Sequence, residues 1–592
     1  MNDKIVITGL GIISAIGVGK DAVLQSLREK RTGIGTMRHL VSSHHELPVG
    51  EVNRSNDELK ADLGIDTSTE VSRTALLGMV AVEQAIVESG IEQFKQLYPN
   101  KRIVLVSGTT VGGMDLTENY FDSFNQNDDH IATLLQHDCG SCTQLMANHF
   151  NVIDECSSIS TACSSAANAL ILGYNLLKSN QADIVIAGGT EALSRFHLNG
   201  FNSLQILDHQ NCRPFDETRA GLNLGEGAAY VVLERESDAH DRDADIYAYL
   251  SGYGNACDAF HQTASSENGE GAYRAMKQAL EMSGLKPDDI QYINAHGTAT
   301  PNNDQTESAA IKRVFGDCLP PISSTKSFTG HTTSASGSIE TVICLLSMRH
   351  GFVPANLGWS TPMTDGIIPS GGINDYPIDN VLCNSFGFGG NDTSLVLSKN
   401  PHVGAKVVFN AEKDVRVAAQ VEITDETQLV EIKNYVKPLE ARRMGKIMKS
   451  SLLSSLKALE QAGIEKPDAI ITATAWGCLE YSERLLEQLR DEGEVLLKPT
   501  YFMQSTHNTI GSNIAIRLNC HGYNVTYTHG DQSLNWALRD AHLLLQSGRC
   551  HSVLVGLHDE MMPLFRSLLE RQGVKVMPSN IYSKAIVLTC GK

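Results

Sequence analysis

The chain has 592 residues, 42% of them hydrophobic and 20% charged, with a formal net charge of −20. That balance argues against a nucleic-acid binder, whose phosphates it would repel, and no uninterrupted apolar run approaches the ~20 residues of a membrane span. Thirteen cysteines scattered without a framework, and no basic-plus-apolar segment at the start, lead to the expectation of a cytoplasmic enzyme in a reducing compartment.

In chain order, the first apolar run carries Val6-Ile7-Thr8-Gly9-Leu10-Gly11. Gly9 and Gly11 suggest a dinucleotide loop, but Ser14 stands where G-x-G-x-x-G needs its third glycine, so a nucleotide site is rejected. His44-His45 lacks a ligand partner at readable spacing and reads as a surface loop. Gly108-Thr109-Thr110-Val111-Gly112-Gly113 is a glycine-rich turn. Cys139-Gly140-Ser141-Cys142 has C-x-x-C spacing, yet no second pair follows, and these cysteines read as incidental.

Ser160-Thr161-Ala162-Cys163-Ser164-Ser165 opens a helix whose residues Ala166, Ala169, Leu170, Gly173, Leu176 and Leu177 fall on one continuous face. Lys178 complements its negative end, and Ser179-Asn180-Gln181 breaks the pattern before the strand Ile184-Val185-Ile186-Ala187. A helix N-terminus favours thiolate, so Cys163 is expected to be activated there. A lone cysteine is more often a small core residue, and the later motifs supply the context. Asn294-Ala295-His296-Gly297-Thr298-Ala299-Thr300 holds a histidine among small residues after an apolar run. Ser323-Ser324-Thr325-Lys326-Ser327-Phe328-Thr329-Gly330-His331 repeats that plan, with a lysine. Two histidines, a lysine and a cysteine in such loops make a composite that packing explains poorly.

With these motifs residues 1 to about 398 resemble the condensing β-ketoacyl-acyl-carrier-protein synthases, in particular the elongating type of bacterial fatty acid and polyketide systems. The likeness also rests on Cys212-Arg213-Pro214-Phe215-Asp216, Gly225-Glu226-Gly227-Ala228 and Asn384-Ser385-Phe386-Gly387-Phe388-Gly389-Gly390. It implies an α/β, thiolase-like fold of two related halves with layered helices and sheets, normally paired as a dimer. It implies that Cys163 accepts an acyl chain, that neutral His296 and His331 bind the malonyl thioester oxygen, and that the N–H groups of Cys163 and Phe388 form an oxyanion hole. Lys326 with Glu340 would hold the polar network and disfavour charge on the histidines. Phe388 matches a gate between glycines, Val111 matches a position lining the acyl pocket, and Arg73 matches the helix that docks the carrier. Asn294 and Glu307 match positions near a structural monovalent cation; no other cofactor or metal is expected. The implied partner is an acyl carrier protein bearing acyl and malonyl groups, with no nucleic acid or membrane span. Such carriers are acidic, so a chain of this charge needs a local basic patch.

Ser398-Lys399-Asn400-Pro401-His402 reads as a linker. Beyond it the order of the Cys163 region returns: the strand Ile470-Ile471-Thr472-Ala473-Thr474, then Val525-Thr526-Tyr527-Thr528-His529-Gly530-Asp531, a helix through Trp536 and Leu543, and the strand Ser552-Val553-Leu554-Val555-Gly556. Asp531 stands where Cys163 stands, and an aspartate cannot carry a thioester. The expected organisation is two catalytic halves, 1–250 and 251–398, followed by an inactive half-copy, 406–592. That half-copy is expected to occupy the dimer-partner surface or shape the tunnel, as chain-length-factor subunits do. The expected activity is decarboxylative condensation, in fatty acid or, preferentially, specialised polyene or polyketide synthesis. The alternative is a non-catalytic chain-length-factor-like partner or scaffold; the surviving cysteine, histidines and lysine count against it.

Overall fold

Runs of β-branched and small apolar residues between glycine turns form one mixed sheet in the computed structural model, which describes residues 3–127, 129–405, 407–495 and 497–590. From one edge the order begins Ile322–Ser323, Tyr292–Asn294, Asn380–Gly387, Asn391–Ser398 and Ala248–Cys257. It continues through Ile5–Ser14, Gly227–Arg235, Ile184–Glu191, Ile103–Gly108 and Glu155–Ile159. Tyr523–Tyr527, Ala469–Ala473, Ser552–Glu560, Ile581–Cys590 and Val415–Ile423 end this path, and Gly17–Val18 pairs with Ile5–Ser14 off it. The strand Ala248–Cys257 runs through residue 250, where the sequence reading divided the catalytic halves.

Helices Ser165–Lys178 and Ser336–His350 lie against each other beneath the strands from Asn380–Gly387 to Glu155–Ile159. The spacing of apolar residues assigns the first of them one buried face, whereas every residue from Ser165 to Leu177 is buried. Layers on all sides explain the difference: alanine and glycine let the second helix approach closely, and each large apolar side chain so buried contributes about 1.5–3 kcal/mol. Glycine does similar work in the sheet, where a Cβ on Gly188 would lie 2.0 Å from the carbonyl oxygen of Ala229.

The C-terminal segment extends this sheet. Tyr527 pairs with Ile159 antiparallel, the Ser160 N–H donates to the Thr526 carbonyl at 2.9 Å, and the Thr528 N–H donates to the Ser158 carbonyl at 3.0 Å. Two strand edges thereby satisfy each other's backbone groups. One core runs across the junction, with Ile159 and Leu170 on one side and Tyr527, Trp536 and Leu544 on the other. Among the described residues no single helix is long and apolar enough to cross a membrane.

Candidate active site

The strand Glu155–Ile159 ends in a sharp turn that projects Cys163 before the helix begins. Ala162 adopts φ 51°, a left-handed conformation that costs a non-glycine residue about 1–2 kcal/mol. Two hydrogen bonds hold it: the Thr161 N–H donates to Ser165 Oγ at 2.9 Å, and that hydroxyl donates to the Ala162 carbonyl at 2.6 Å. The thiol is thus fixed at the wall of a cavity of about 390 Å³ that His296, His331 and Phe388 also line.

Both histidines arrive from strand ends on the far side of the molecule. His331 Nε2 lies 3.0 Å from Cys163 Sγ, and its Nδ1 lies 3.0 Å from Ser336 Oγ. Lys326 Nζ is 3.3 Å from His296 Nδ1 and 2.6 Å from Glu340 Oε1. An ammonium can only donate, so His296 Nδ1 accepts and the ring proton of the neutral imidazole sits on Nε2. The Glu307 carboxylate accepts the N–H groups of His296 at 2.8 Å and Gly297 at 2.7 Å, which fixes that loop. The reactive atoms of Cys163, His296 and His331 all lie within 4.8 Å of one another.

Electrostatics correct one expectation. Burial pushes the Cys163 thiol up to about 12, with the Lys326 cation and the Phe388 N–H pulling the other way. The resting thiol is therefore protonated, and deprotonation has to accompany attack. Burial, followed by the Lys326 cation, holds both His296 and His331 well below the usual histidine range. Neutral imidazoles are the form that can present an N–H to a developing oxyanion and still lack a charge of their own. Burial also raises Glu340 to about 7, against the pull of Lys326.

The remaining sequence candidates divide. The Phe388 backbone N–H bonds the thiol sulfur, and its ring stacks on Phe201 with centroids 5.8 Å apart. Val111 is buried in the same apolar cluster, its N–H donating to Glu191 at 3.0 Å. Arg73 is not a docking residue: its side chain is 9% exposed and grips Glu226 through Nε at 2.9 Å and Nη2 at 2.6 Å. A guanidinium already paired in the interior has nothing to offer a carrier. His44 is likewise packed, with its ring nitrogens 2.9 Å from Glu46 and 3.1 Å from Asn199. Cys139 and Cys142 are free, buried thiols.

Sequence reasoning missed the residues that the C-terminal segment brings. Phe502 stands 5.1 Å from Phe201 and 6.2 Å from Phe196, centroid to centroid, and closes the apolar cluster beside Phe388. Asn508 Nδ2 donates to the Phe388 carbonyl at 2.8 Å. Asn508 lies 120 positions beyond Phe388, and Phe502 lies further still from Phe196 and Phe201, so neither left a local signal.

The echo of the nucleophile turn is faithful in backbone. Gly530 takes φ 51° like Ala162, the His529 N–H donates to Ser533 Oγ at 2.7 Å, and that hydroxyl donates to the Gly530 carbonyl at 2.7 Å. Asp531 occupies the tip and is exposed. Where Val111 borders the catalytic cluster, the echo has Trp476, whose N–H donates to Asp559 at 3.0 Å and whose ring meets Phe565 at 4.9 Å.

Comparison with known proteins identifies the family. Residues 2–239 match the family model for the beta-ketoacyl synthase N-terminal domain, and residues 247–360 match that for its C-terminal domain. Residues 416–591 match a second N-terminal-domain model of the same family. The 3-oxoacyl-[acyl-carrier-protein] synthase 2 of Coxiella burnetii is 33% identical over 413 residues, 67% of this chain and 98% of its own. The Synechocystis protein of that name is 34% identical over 420 residues, with the same coverage. Among solved structures, a ketosynthase in complex with its chain length factor from Xenorhabdus doucetiae aligns with a TM-score of 0.58 at 31% identity, over 67% of this chain and 98% of that one. A PfaC keto synthase-chain length factor aligns over 99% of this chain and 78% of its own with a TM-score of 0.78; at 16% identity that likeness concerns the fold alone.

Proposed function

Because this chain belongs to the β-ketoacyl synthase family and is an acyltransferase of its 3-oxoacyl-[acyl-carrier-protein] synthase class, we propose that it condenses an acyl group carried on Cys163 with a malonyl group carried by an acyl carrier protein. The single observation that carries this reading is the convergence of a buried thiol with two neutral histidines on one cavity wall. Cys163 Sγ attacks the acyl thioester, the carrier's thiol leaves, and the thiol proton goes to that leaving sulfur. The malonyl C–C bond then breaks, carbon dioxide departs, and the electron pair forms an enolate whose oxygen accepts from His296 and His331. Preorganised donors of this kind contribute about 3–4 kcal/mol each. The enolate carbon attacks the acyl carbonyl, whose oxygen faces the Cys163 and Phe388 N–H groups, and the Cys163 thiolate leaves. A monovalent cation would use the buried oxygens of Asn294, whose Oδ1 has no hydrogen-bond partner, and Glu307, and would stiffen the His296 loop.

The C-terminal half-domain acts as a built-in partner subunit. It supplies Phe502 to the apolar cluster and so sets how long an acyl chain fits, which favours a specialised polyene or polyketide product over general fatty acid elongation. It also supplies the basic surface that Arg73 does not. Arg442 and Arg443 are exposed just ahead of the helix Lys446–Ala462, whose first residue, Lys446, pairs with Glu426 at 2.9 Å. Met448 of that helix accepts from Asn513 at 3.3 Å, and Asn513 accepts from Gln262 at 2.8 Å, next to the cavity-lining Thr263. An acidic carrier meets local positive charge there although the chain as a whole is acidic.

Intact-mass measurement tests the core of this reading. Incubation with acyl-loaded carrier protein should add one acyl mass to the native protein and none to Cys163→Ala. Absence of an adduct, under conditions that acylate a control synthase, would leave the scaffold reading standing.

A further inference from the structure

The loop Gly387–Gly390 is gripped from the other side of the domain junction. Asn508 Nδ2 donates one proton to the Phe388 carbonyl and one to Asn391 Oδ1, each at 2.8 Å. Asn508 stands at the N-cap position of the helix Thr509–Leu518 yet makes no capping bond, although asparagine favours that use. Its side chain serves the loop instead. Gly389, with φ 84°, packs so closely on this helix that a Cβ would lie 2.1 Å from Ser512 Oγ. On the opposite side the Gly389 N–H donates to the Gln262 carbonyl at 2.7 Å.

Two polar atoms beneath the loop are unused. Asn508 Oδ1 and Ser512 Oγ are buried and have no hydrogen-bond partner. Buried polar groups are seldom left idle, and such orphans call for an explanation. A loop with a second resting position offers one, since glycines 387, 389 and 390 let Phe388 swing and turn new N–H groups toward those acceptors.

We infer that Asn508, a positioning residue of the half-domain, latches the loop Gly387–Gly390 and so sets when the Cys163 thiol is reachable. This rests on the reading of Phe388 as the gate. Latching from the half-domain makes gate opening a junction event: anything that shifts the helix Thr509–Leu518 changes access to the thiol. The two donors of one amide release together, so the loop has two states and no gradual range.

Iodoacetamide labelling of the full chain, with peptide mass mapping of Cys163, reads access without depending on any carrier or substrate. Asn508→Leu removes both donors at similar volume, and Asn508→Ser is a gentler change that keeps a helix-capping residue too short to reach Phe388. Each should alkylate Cys163 at least about fivefold faster than the native chain, the loss of one hydrogen bond's worth of latching. Cys344, buried in the core of the catalytic region, should keep its native rate. Parallel acceleration at Cys344 in both variants would reduce Asn508 to a structural role and overturn the latch. Phe388→Ala separates the two readings. If it accelerates Cys163 labelling and both Asn508 variants do not, the latch is wrong and the gate stands. If Phe388→Ala also labels at the native rate, the gate reading fails and takes the latch with it.

Discussion

The turn around Cys163 and the turn around Asp531 share a backbone and differ in everything the chemistry needs. Both have φ 51° before the tip residue, and both are tied by the hydroxyl of the serine that opens the following helix. Only the first has a buried tip residue, which faces two histidines and borders an open cavity. The comparison separates two requirements often treated as one: a strained turn aims a side chain, while burial and neutral imidazoles make it useful.

That separation can be broken by experiment, beginning with the largest effect. In the double variant Cys163→Ala with Asp531→Cys, the transplanted thiol should remain unacylated by carrier-bound acyl groups, with condensation below detection. An acyl adduct at position 531 by peptide mass mapping would mean that the turn alone suffices. His296→Ala and His331→Ala should each still form the Cys163 adduct while decarboxylation of malonyl carrier falls about 10²–10³-fold, the loss expected for one oxyanion donor. Native decarboxylation rates in either variant would remove the enolate assignment.

Smaller effects sharpen the comparison. The Lys326 cation lowers both histidines, so Lys326→Met should let them take up protons at higher pH. With the neutral form as the proposed active one, the acid limb of the decarboxylation pH profile should move upward, and a limb that stays in place or moves down would exclude this role. Phe502→Leu opens space beside Phe201 and should lengthen the products by mass spectrometry, at a stability cost of about 1–2 kcal/mol. Arg442→Glu with Arg443→Glu should raise the KM for carrier protein severalfold, more at low salt than at high, with kcat unchanged.

The residues that line the candidate site were legible in the sequence because their types and neighbours are restrictive. Cys163, His296, Lys326 and His331 all stand in small-residue loops after strands, and they meet in space. Arg73 misled because its partner, Glu226, lies 153 positions away and captures the guanidinium in the interior. The protonated state of Cys163 was equally hidden: a helix N-terminus is visible in a sequence, but complete burial of a thiol is not. Asn508 and Phe502 act only through a junction between distant segments, which local pattern does not encode. The echo itself was legible, down to its tip residue.

The antiparallel contact between Ile159 and Tyr527 also decides how the molecule responds to dilution. A separate partner subunit would dissociate as concentration falls, and would exchange with any other copy. Here the complementary edge is tethered by the 16 residues of segment 399–414, between the strands Asn391–Ser398 and Val415–Ile423. A tether that short sets an effective concentration in the millimolar range. Each Cys163 cavity therefore keeps the same half-domain beside it at a fixed one-to-one ratio, and the strand edge at Ile159 is already paired within the chain.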